Sequence, residues 1–226
     1  MKSLIICSGG LDSTTMALIA KNSGEDIGLI TFNYGQKATK EIEAVKALAE
    51  KYGCEHKIVD ISFMKEIFGE NQLTGGNVKV ENDYKPSVVV PLRNSVFIQI
   101  AYIYAMANGY ERLYLGSHLD DIKKDKNGDL MFPDCSPHFF NEINRALWAG
   151  CRREDDKVLI YSASILGWNK SELIKRGVEA DADAVFKSWS CYTNGEKQCG
   201  VCDSCQNRRR SFAEAGVKDL TDYASL

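Results

Sequence analysis

The chain is poor in histidine. The three it has, His56, His118 and His138, are too dispersed to suggest a histidine metal triad. Long apolar runs are missing too. The longest, Val96 to Ala107, is broken by Gln99 and ends at Asn108-Gly109, well short of the ~20 residues that a membrane span requires. It predicts a buried core helix. Met1-Lys2-Ser3 leads straight into a strand-like stretch, too short for the apolar region of a secretory signal. No internal repeat and no low-complexity linker is visible. A strong charge is absent as well: 28 Lys and Arg against 31 Asp and Glu leave a net −3, which gives no general electrostatic footing on nucleic acid or anionic membrane. These absences predict a cytoplasmic globular protein without membrane contact. Its 226 residues suffice for one good α/β domain plus a small appendage.

Cysteine, by contrast, is plentiful. Of eight, four are scattered (Cys7, Cys54, Cys135, Cys151) and four crowd into Cys191, Cys199, Cys202 and Cys205. In a reducing compartment such clustering suggests metal ligation rather than disulfides. Two overlapping C-x2-C steps allow tight chelation, and four thiolates suit one tetrahedral structural zinc with bonds of about 2.3 Å. An iron–sulfur cluster is the main rival. A redox C-x2-C pair would leave two thiols unexplained. Zn2+ is the favoured ion, and a closed four-thiolate site leaves it no free position for chemistry.

Strand and helix patterns alternate along the chain. Strands are expected at Ser3–Cys7, Ile27–Phe32, His56–Ile61, Arg112–Gly116 and Lys157–Ser162. Helices are expected at Asp12–Lys21, at Ala38–Tyr52, after Pro91, at Pro137–Ala149, as a short piece at Asn169–Arg176, and near the carboxyl end. Two long loops, Ser62–Val89 and Ser117–Asp134, read as functional segments. This βα alternation predicts an α/β fold, a Rossmann-like doubly wound parallel sheet of five strands. Residues 1–185 are expected to form the nucleotide-binding domain and residues 186–226 a cysteine segment packed on it. Ligands of such sheets bind at the carboxyl ends of the strands.

There the first strand runs into Ser8-Gly9-Gly10-Leu11-Asp12-Ser13-Thr14. Two glycines let backbone N–H groups approach phosphate oxygens, the hydroxyls add donors, and the helix amino terminus adds positive potential. The lysine of an ordinary P-loop is missing and a carboxylate stands in the motif. The string resembles the signature of the PP-loop ATP pyrophosphatases, of the adenine nucleotide alpha-hydrolase type. That resemblance implies attack at the α-phosphate of ATP, leaving AMP on the substrate and releasing pyrophosphate. It implies an ATP segment of Ser8, Gly9, Gly10, Leu11, Asp12, Ser13, Thr14, Thr15, Met16, Ala17 and Leu18, with Asp12 directing Mg2+. A hard cation there neutralises charge on the departing pyrophosphate. By position alone, Thr31, Phe32 and Asn33 would neighbour the adenosine.

Four further stretches narrow the resemblance: Tyr34-Gly35-Gln36-Lys37, Val90-Pro91-Leu92-Arg93-Asn94, Phe132-Pro133-Asp134-Cys135 and Gly167-Trp168-Asn169-Lys170. With the cysteine cluster they are similar to the 7-cyano-7-deazaguanine synthase family, over nearly the whole chain. The resemblance implies ATP, 7-carboxy-7-deazaguanine and ammonia as partners, and a homodimer. It implies Asp12, Arg93 and Lys170 as catalytic residues. Arg93 or Lys170 would hold developing charge, and Asn94, Phe132 and Asp134 would meet the deazapurine. On the residues alone, Arg93 and Asn94 could merely open a buried helix, and Asp134 could cap the helix at Pro137. Arg208-Arg209-Arg210 reads as a solvated or salt-bridged face. Family members usually carry Tyr before and Arg after Pro-Asp-Cys, where this chain has Phe132 and Ser136, and the loop Asp120–Asp129 is long and charged. Other PP-loop activities, such as tRNA thiolation or amidation of a different carboxylate, remain open. A zinc-knuckle nucleic-acid module is disfavoured by the intact loop and the acidic balance.

Overall fold

The structure, a computed structural model, describes residues 1–36, 40–68, 92–125 and 127–225. Lys37, Ala38, Val88–Pro91 and most of the loop expected at Ser62–Val89 lie outside the described residues. Five strands, β1 (Lys2–Ile6), β2 (Asp26–Asn33), β3 (His56–Asp60), β4 (Arg112–Leu115) and β5 (Leu159–Ser162), form one sheet in the order β3-β2-β1-β4-β5. Every pairing is parallel; Ile5 stands opposite Leu29 on one side and Tyr114 on the other. Among the described residues seven α-helices flank it: α1 (Leu11–Asn22), α2 (Lys40–Tyr52), α3 (Met64–Phe68), α4 (Arg93–Ala107), α5 (Pro137–Gly150), α6 (Lys170–Lys187) and α7 (Asp203–Glu214).

Strand alternation divides the core in two. Ile5, Ile27 and Leu29 face α1, α2, α6 and α7, while Leu4, Ile30 and Leu113 face α4 and α5. Both faces are covered, so the central strands read as nearly continuous apolar runs. The expected doubly wound sheet is therefore the fold. From β1 the chain steps outward to β2 and β3, then returns to β4 on the other side of β1. The reversal opens a crevice at the carboxyl ends of β1 and β4. Gly116, directly after β4, presses on it: a Cβ there would lie 2.7 Å from the carbonyl carbon of Asp12.

Two helices differ from expectation: the short α3 stands inside the segment read as the loop Ser62–Val89, and α6 runs on past its expected end. The piece predicted at Asn169–Arg176 continues to Lys187. Gly177 does not stop it but allows close approach, since a Cβ there would meet Thr15 Cγ2 of α1 at 2.4 Å. The helix kinks at Asp181 (φ −162°, ψ 95°). That carboxylate receives the Ala184 N–H (3.0 Å), the Tyr52 hydroxyl and the Lys51 ammonium (2.6 Å), so it recaps the second half and ties it to α2.

Candidate active site

β1 ends where the backbone must turn sharply into α1, and Gly9 takes φ +89° to do so. A side chain is excluded there twice over, because a Cβ would fall 2.0 Å from the Glu41 carbonyl oxygen. Gly10 is the N-cap of α1 and brings no side-chain cap, so the first turn of the helix keeps donors for an anion. Hydroxyls crowd the same turn. The Ser8 N–H donates to Ser13 Oγ at 3.1 Å, the Gly10 N–H to Ser8 Oγ at 3.3 Å, and the Ser13 hydroxyl to Gly10 O at 3.4 Å. Thr14 is buried beside them, and Thr15, Met16, Ala17 and Leu18 lie fully within the packing of α1.

Asp12 leaves α1 on the crevice side with its carboxylate 31% exposed. The Lys170 ammonium, from the first residue of α6, reaches Asp12 Oδ2 at 3.0 Å. Asn169 caps α6, accepting the Glu172 N–H at 2.9 Å, and Asp120 accepts the Lys170 backbone N–H at 2.9 Å. His118, 4% exposed, places Nε2 at 3.7 Å from Asp12 Oδ1 and Nδ1 at 3.5 Å from Asp121 Oδ2. Burial alone would raise Asp12, but the Lys170 and His118 charges outweigh it and hold the carboxyl far below the usual range. Burial likewise opposes charge on His118, yet Asp12 and Asp121 raise it. Asp12 Oδ1 is buried and has no hydrogen-bond partner among the described residues. An anionic oxygen left so is a fit for a divalent cation arriving with polyphosphate.

Across the crevice, α4 begins at Arg93 after Leu92, whose φ of 54° is the one positive value among the described non-glycine residues. Arg93 Nη1 donates to the Tyr34 hydroxyl at 3.2 Å, and its guanidinium lies 5.4 Å from the Tyr34 ring centre. The Asn94 N–H donates to Asp134 Oδ2 at 3.2 Å, and Asn94 Nδ2 to Cys135 Sγ at 3.3 Å. Asp134 does not cap α5. Ser136 does, accepting the Phe139 N–H at 3.1 Å. Burial pushes the Asp134 carboxyl up, with the Asn94 N–H and Arg93 pulling the other way. Burial also pushes the Cys135 thiol up to about 12, a neutral thiol and no nucleophile. Phe132 is half-buried, just ahead of the 3-10 turn Pro133–Cys135. Thr31 and Phe32 are packed inside instead: the Thr31 hydroxyl donates to Cys7 O at 2.7 Å and Phe32 stacks on Phe97.

The four clustered cysteines bring their sulfurs within 4.8 Å of one another. Cys191 to Cys202 measures 4.0 Å and Cys199 to Cys205 measures 3.9 Å, close to the ~3.8 Å edge of a tetrahedron with 2.3 Å metal–sulfur bonds. The Cys199 N–H points at Cys191 Sγ and the Cys202 N–H at Cys199 Sγ, both at 3.3 Å, as thiolates require. The donors therefore fit a metal such as zinc. The preceding strap, residues 185–191, lies on the phosphate loop: the Trp189 N–H donates to Gly9 O at 2.8 Å. Gln198 grips the strap through Ser188 O and the Ser190 N–H, both at 3.0 Å.

The triplet expected to be a solvated or salt-bridged face is so at Arg210, exposed and 3.9 Å from Glu214, whereas Arg208, 3.7 Å from Asp219 Oδ2, is turned inward. Arg208 is 1% exposed and donates to Ser188 Oγ (2.8 Å), Ser190 Oγ (3.1 Å), Ser188 O (3.2 Å), Val185 O (3.0 Å) and Phe186 O (3.4 Å). The inward register of α7, which also buries Cys205 and Phe212, was the available signal. His118 was missed as well; its place just beyond β4, at a strand's carboxyl end, was the clue.

The chain matches the family described as "Queuosine biosynthesis protein QueC" over residues 2–216. Three proteins named 7-cyano-7-deazaguanine synthase are similar over their length. That of Psychromonas ingrahamii is 35% identical, covering 98% of this chain and 97% of its own. Those of Caldicellulosiruptor saccharolyticus (34%; 99% and 96%) and Thermoplasma acidophilum (32%; 98% and 92%) are comparable. Among solved structures, a 4-thiouridine synthetase in complex with RNA and ATP superposes with a TM-score of 0.51 at 17% identity, over 95% of this chain and 51% of that one. The likeness is one of fold.

Proposed function

The chain belongs to the queuosine biosynthesis protein QueC family, and from that membership we propose that it is an ATP-dependent ligase converting 7-carboxy-7-deazaguanine and ammonia into 7-cyano-7-deazaguanine. A carboxylate is a poor electrophile. Adenylating it gives ammonia a leaving group to displace, and adenylating the oxygen of the resulting amide allows its dehydration to the nitrile. One phosphate loop serves both activations. The observation that carries this reading is the placement of Asp12 at the mouth of a glycine loop, in a chain matched from end to end by synthases of this name.

In this reading Gly9, Gly10, Ser8 and Ser13 hold the polyphosphate on the first turn of α1. Lys170 is drawn over the α-phosphate by Asp12 and neutralises charge as the phosphorus is attacked. Asp12 Oδ1 would hold Mg2+, which supplies charge neutralisation to the leaving pyrophosphate. Arg93, braced by Tyr34, orients the substrate carboxylate toward that phosphorus. Asp134 accepts N–H groups of the guanine-like edge, Asn94 reads its carbonyl, and Phe132 stacks on the ring. Zn2+ at Cys191, Cys199, Cys202 and Cys205 is structural and sustains the strap beneath Gly9. The cytoplasm is the compartment proposed, since ATP, ammonia and reduced thiols meet there.

The test incubates the protein with ATP, magnesium, ammonium and 7-carboxy-7-deazaguanine and follows nitrile, AMP and pyrophosphate by mass spectrometry. The expected result is about two AMP per nitrile, one for each activation. Absence of AMP release dependent on the deazaguanine acid would overturn the reading.

A further inference from the structure

Glu41 opens α2 at the edge of the same crevice. Its backbone oxygen packs on Gly9, and its Oε1 lies 3.9 Å from the Cβ position of Gly10. The carboxylate thus stands beside the turn that receives the α-phosphate. Arg93 of α4 lies near enough to act on its charge, and the Glu41 charge in turn acts on Tyr34 after β2. The other carboxylates of the crevice are engaged: Asp12 by Lys170, Asp120 by the Lys170 N–H and Lys123, Asp121 by the His118 N–H, and Asp134 by the Asn94 N–H. Glu41 receives no hydrogen bond on its carboxylate from the described residues. Nothing in the ATP-handling scheme above uses it.

The reaction does need a base. On its way to the amide, ammonium gives up two protons while its nitrogen forms the C–N bond and the acyl C–O bond breaks, those electrons leaving with AMP. Once the amide oxygen is adenylated, the nitrogen gives up two more protons. Its N–H electrons then form the remaining C–N π bond as the second C–O bond breaks. Among the described carboxylates of the crevice, Asp12, Asp120, Asp121 and Asp134 are engaged as above, and Glu41 is left to take these protons. We propose that Glu41 is the proton acceptor of the amidation and dehydration steps, removing N–H protons one at a time and returning each to water. The proposal rests on the function given above. Geometry puts the carboxylate beside the α-phosphate turn, 3.9 Å from the Gly10 Cβ position, and within the electrostatic reach of the arginine that orients the acyl group. Burial, opposed by Arg93, pushes the Glu41 carboxyl up to about 8, so it can hold a proton and release it near neutral pH.

Glu41→Gln keeps size and polarity and removes the base. Adenylation is read separately, as ATP–pyrophosphate exchange dependent on the deazaguanine acid. The nitrogen step is read as amide formation with ammonium and, in parallel, hydroxamate formation with hydroxylamine, which is largely unprotonated at neutral pH. The expected pattern is exchange within about threefold of the native enzyme, a fall of about 100-fold with ammonium, and a fall of under about tenfold with hydroxylamine. Glu41→Asp should recover part of the ammonium rate. Equal losses with both nucleophiles, or loss of the exchange itself, would overturn the base role and leave Glu41 as a brace for Arg93 or the loop. Native enzyme without any exchange would sink the proposed function, and the base role with it.

Discussion

Gly116→Ala tests whether the crevice is built by the close approach of β4 to the phosphate turn. The new methyl would stand 2.7 Å from Asp12 C and Ser13 N and 3.0 Å from Ser13 Cα, whereas ordinary Cβ contacts begin near 3.4 Å. One side must therefore retreat by about 0.7 Å, the difference between those distances. The obstructing atoms are backbone, and α1 is itself wedged against α6 at Thr15 and Gly177, so retreat tilts Asp12 away from Lys170. Gly116 has no positive φ; the effect is steric alone. Overpacking of this kind costs about 2 kcal/mol, or roughly 4–8 °C in Tm for a chain of this size. A displacement approaching 1 Å at a reacting group costs up to ~100-fold in rate, so a loss of at least 10-fold in kcat is expected. Differential scanning calorimetry and AMP release measure the two, with Gly150→Ala, whose Cβ meets nothing within 4 Å, as the neutral control. A variant within twofold of native kcat and about 1 °C of native Tm would refute the reasoning.

Arg208→Met preserves volume but removes the guanidinium hydrogen bonds to Val185 O, Phe186 O, Ser188 O, Ser188 Oγ and Ser190 Oγ; a loss of about 3 kcal/mol is expected, read from urea midpoints. Asp12→Asn should lower kcat by at least ~100-fold with circular dichroism and metal content unchanged. Glu41 should also shape the pH dependence of stability. Between its ordinary 4.5 and about 8 the native chain keeps a proton that the unfolded chain has released, so this contribution falls as pH rises through that window and levels off above it. Glu41→Gln removes it, and the stability difference, variant minus native, should grow from pH 5 to pH 8. A constant difference would contradict the burial assigned to Glu41.

Much of this architecture was legible in the residues. Apolar runs bounded by glycine and asparagine mark the central strands, because both faces of the sheet are buried there and leave no polar alternation. The lysine-free glycine loop and the thiol spacing are local patterns whose chemistry follows from the chain itself. What stayed hidden depends on partners remote in sequence. Gly177 reads as a helix end until Thr15 is seen against it. Arg208 looks like one of three surface arginines until α7 turns it toward the strap carbonyls. Glu41 sits on an ordinary amphipathic helix, and its neighbours, Gly10 and Arg93, come from opposite ends of the first hundred residues.

The strap between α6 and Cys191 has a thermodynamic consequence. A single run of chain is bonded to Gly9 by Trp189 and continues directly into a sulfur of the thiol cluster. Two ligands that order the same segment share its entropy, and the resulting coupling is reciprocal. Nucleotide should retard the escape of the metal to a chelator, and metal loading should tighten nucleotide binding by the same factor at equilibrium. An ion held by these four sulfurs would in this way act on nucleotide affinity from a distance, and its removal should raise the ATP concentration needed for half-saturation.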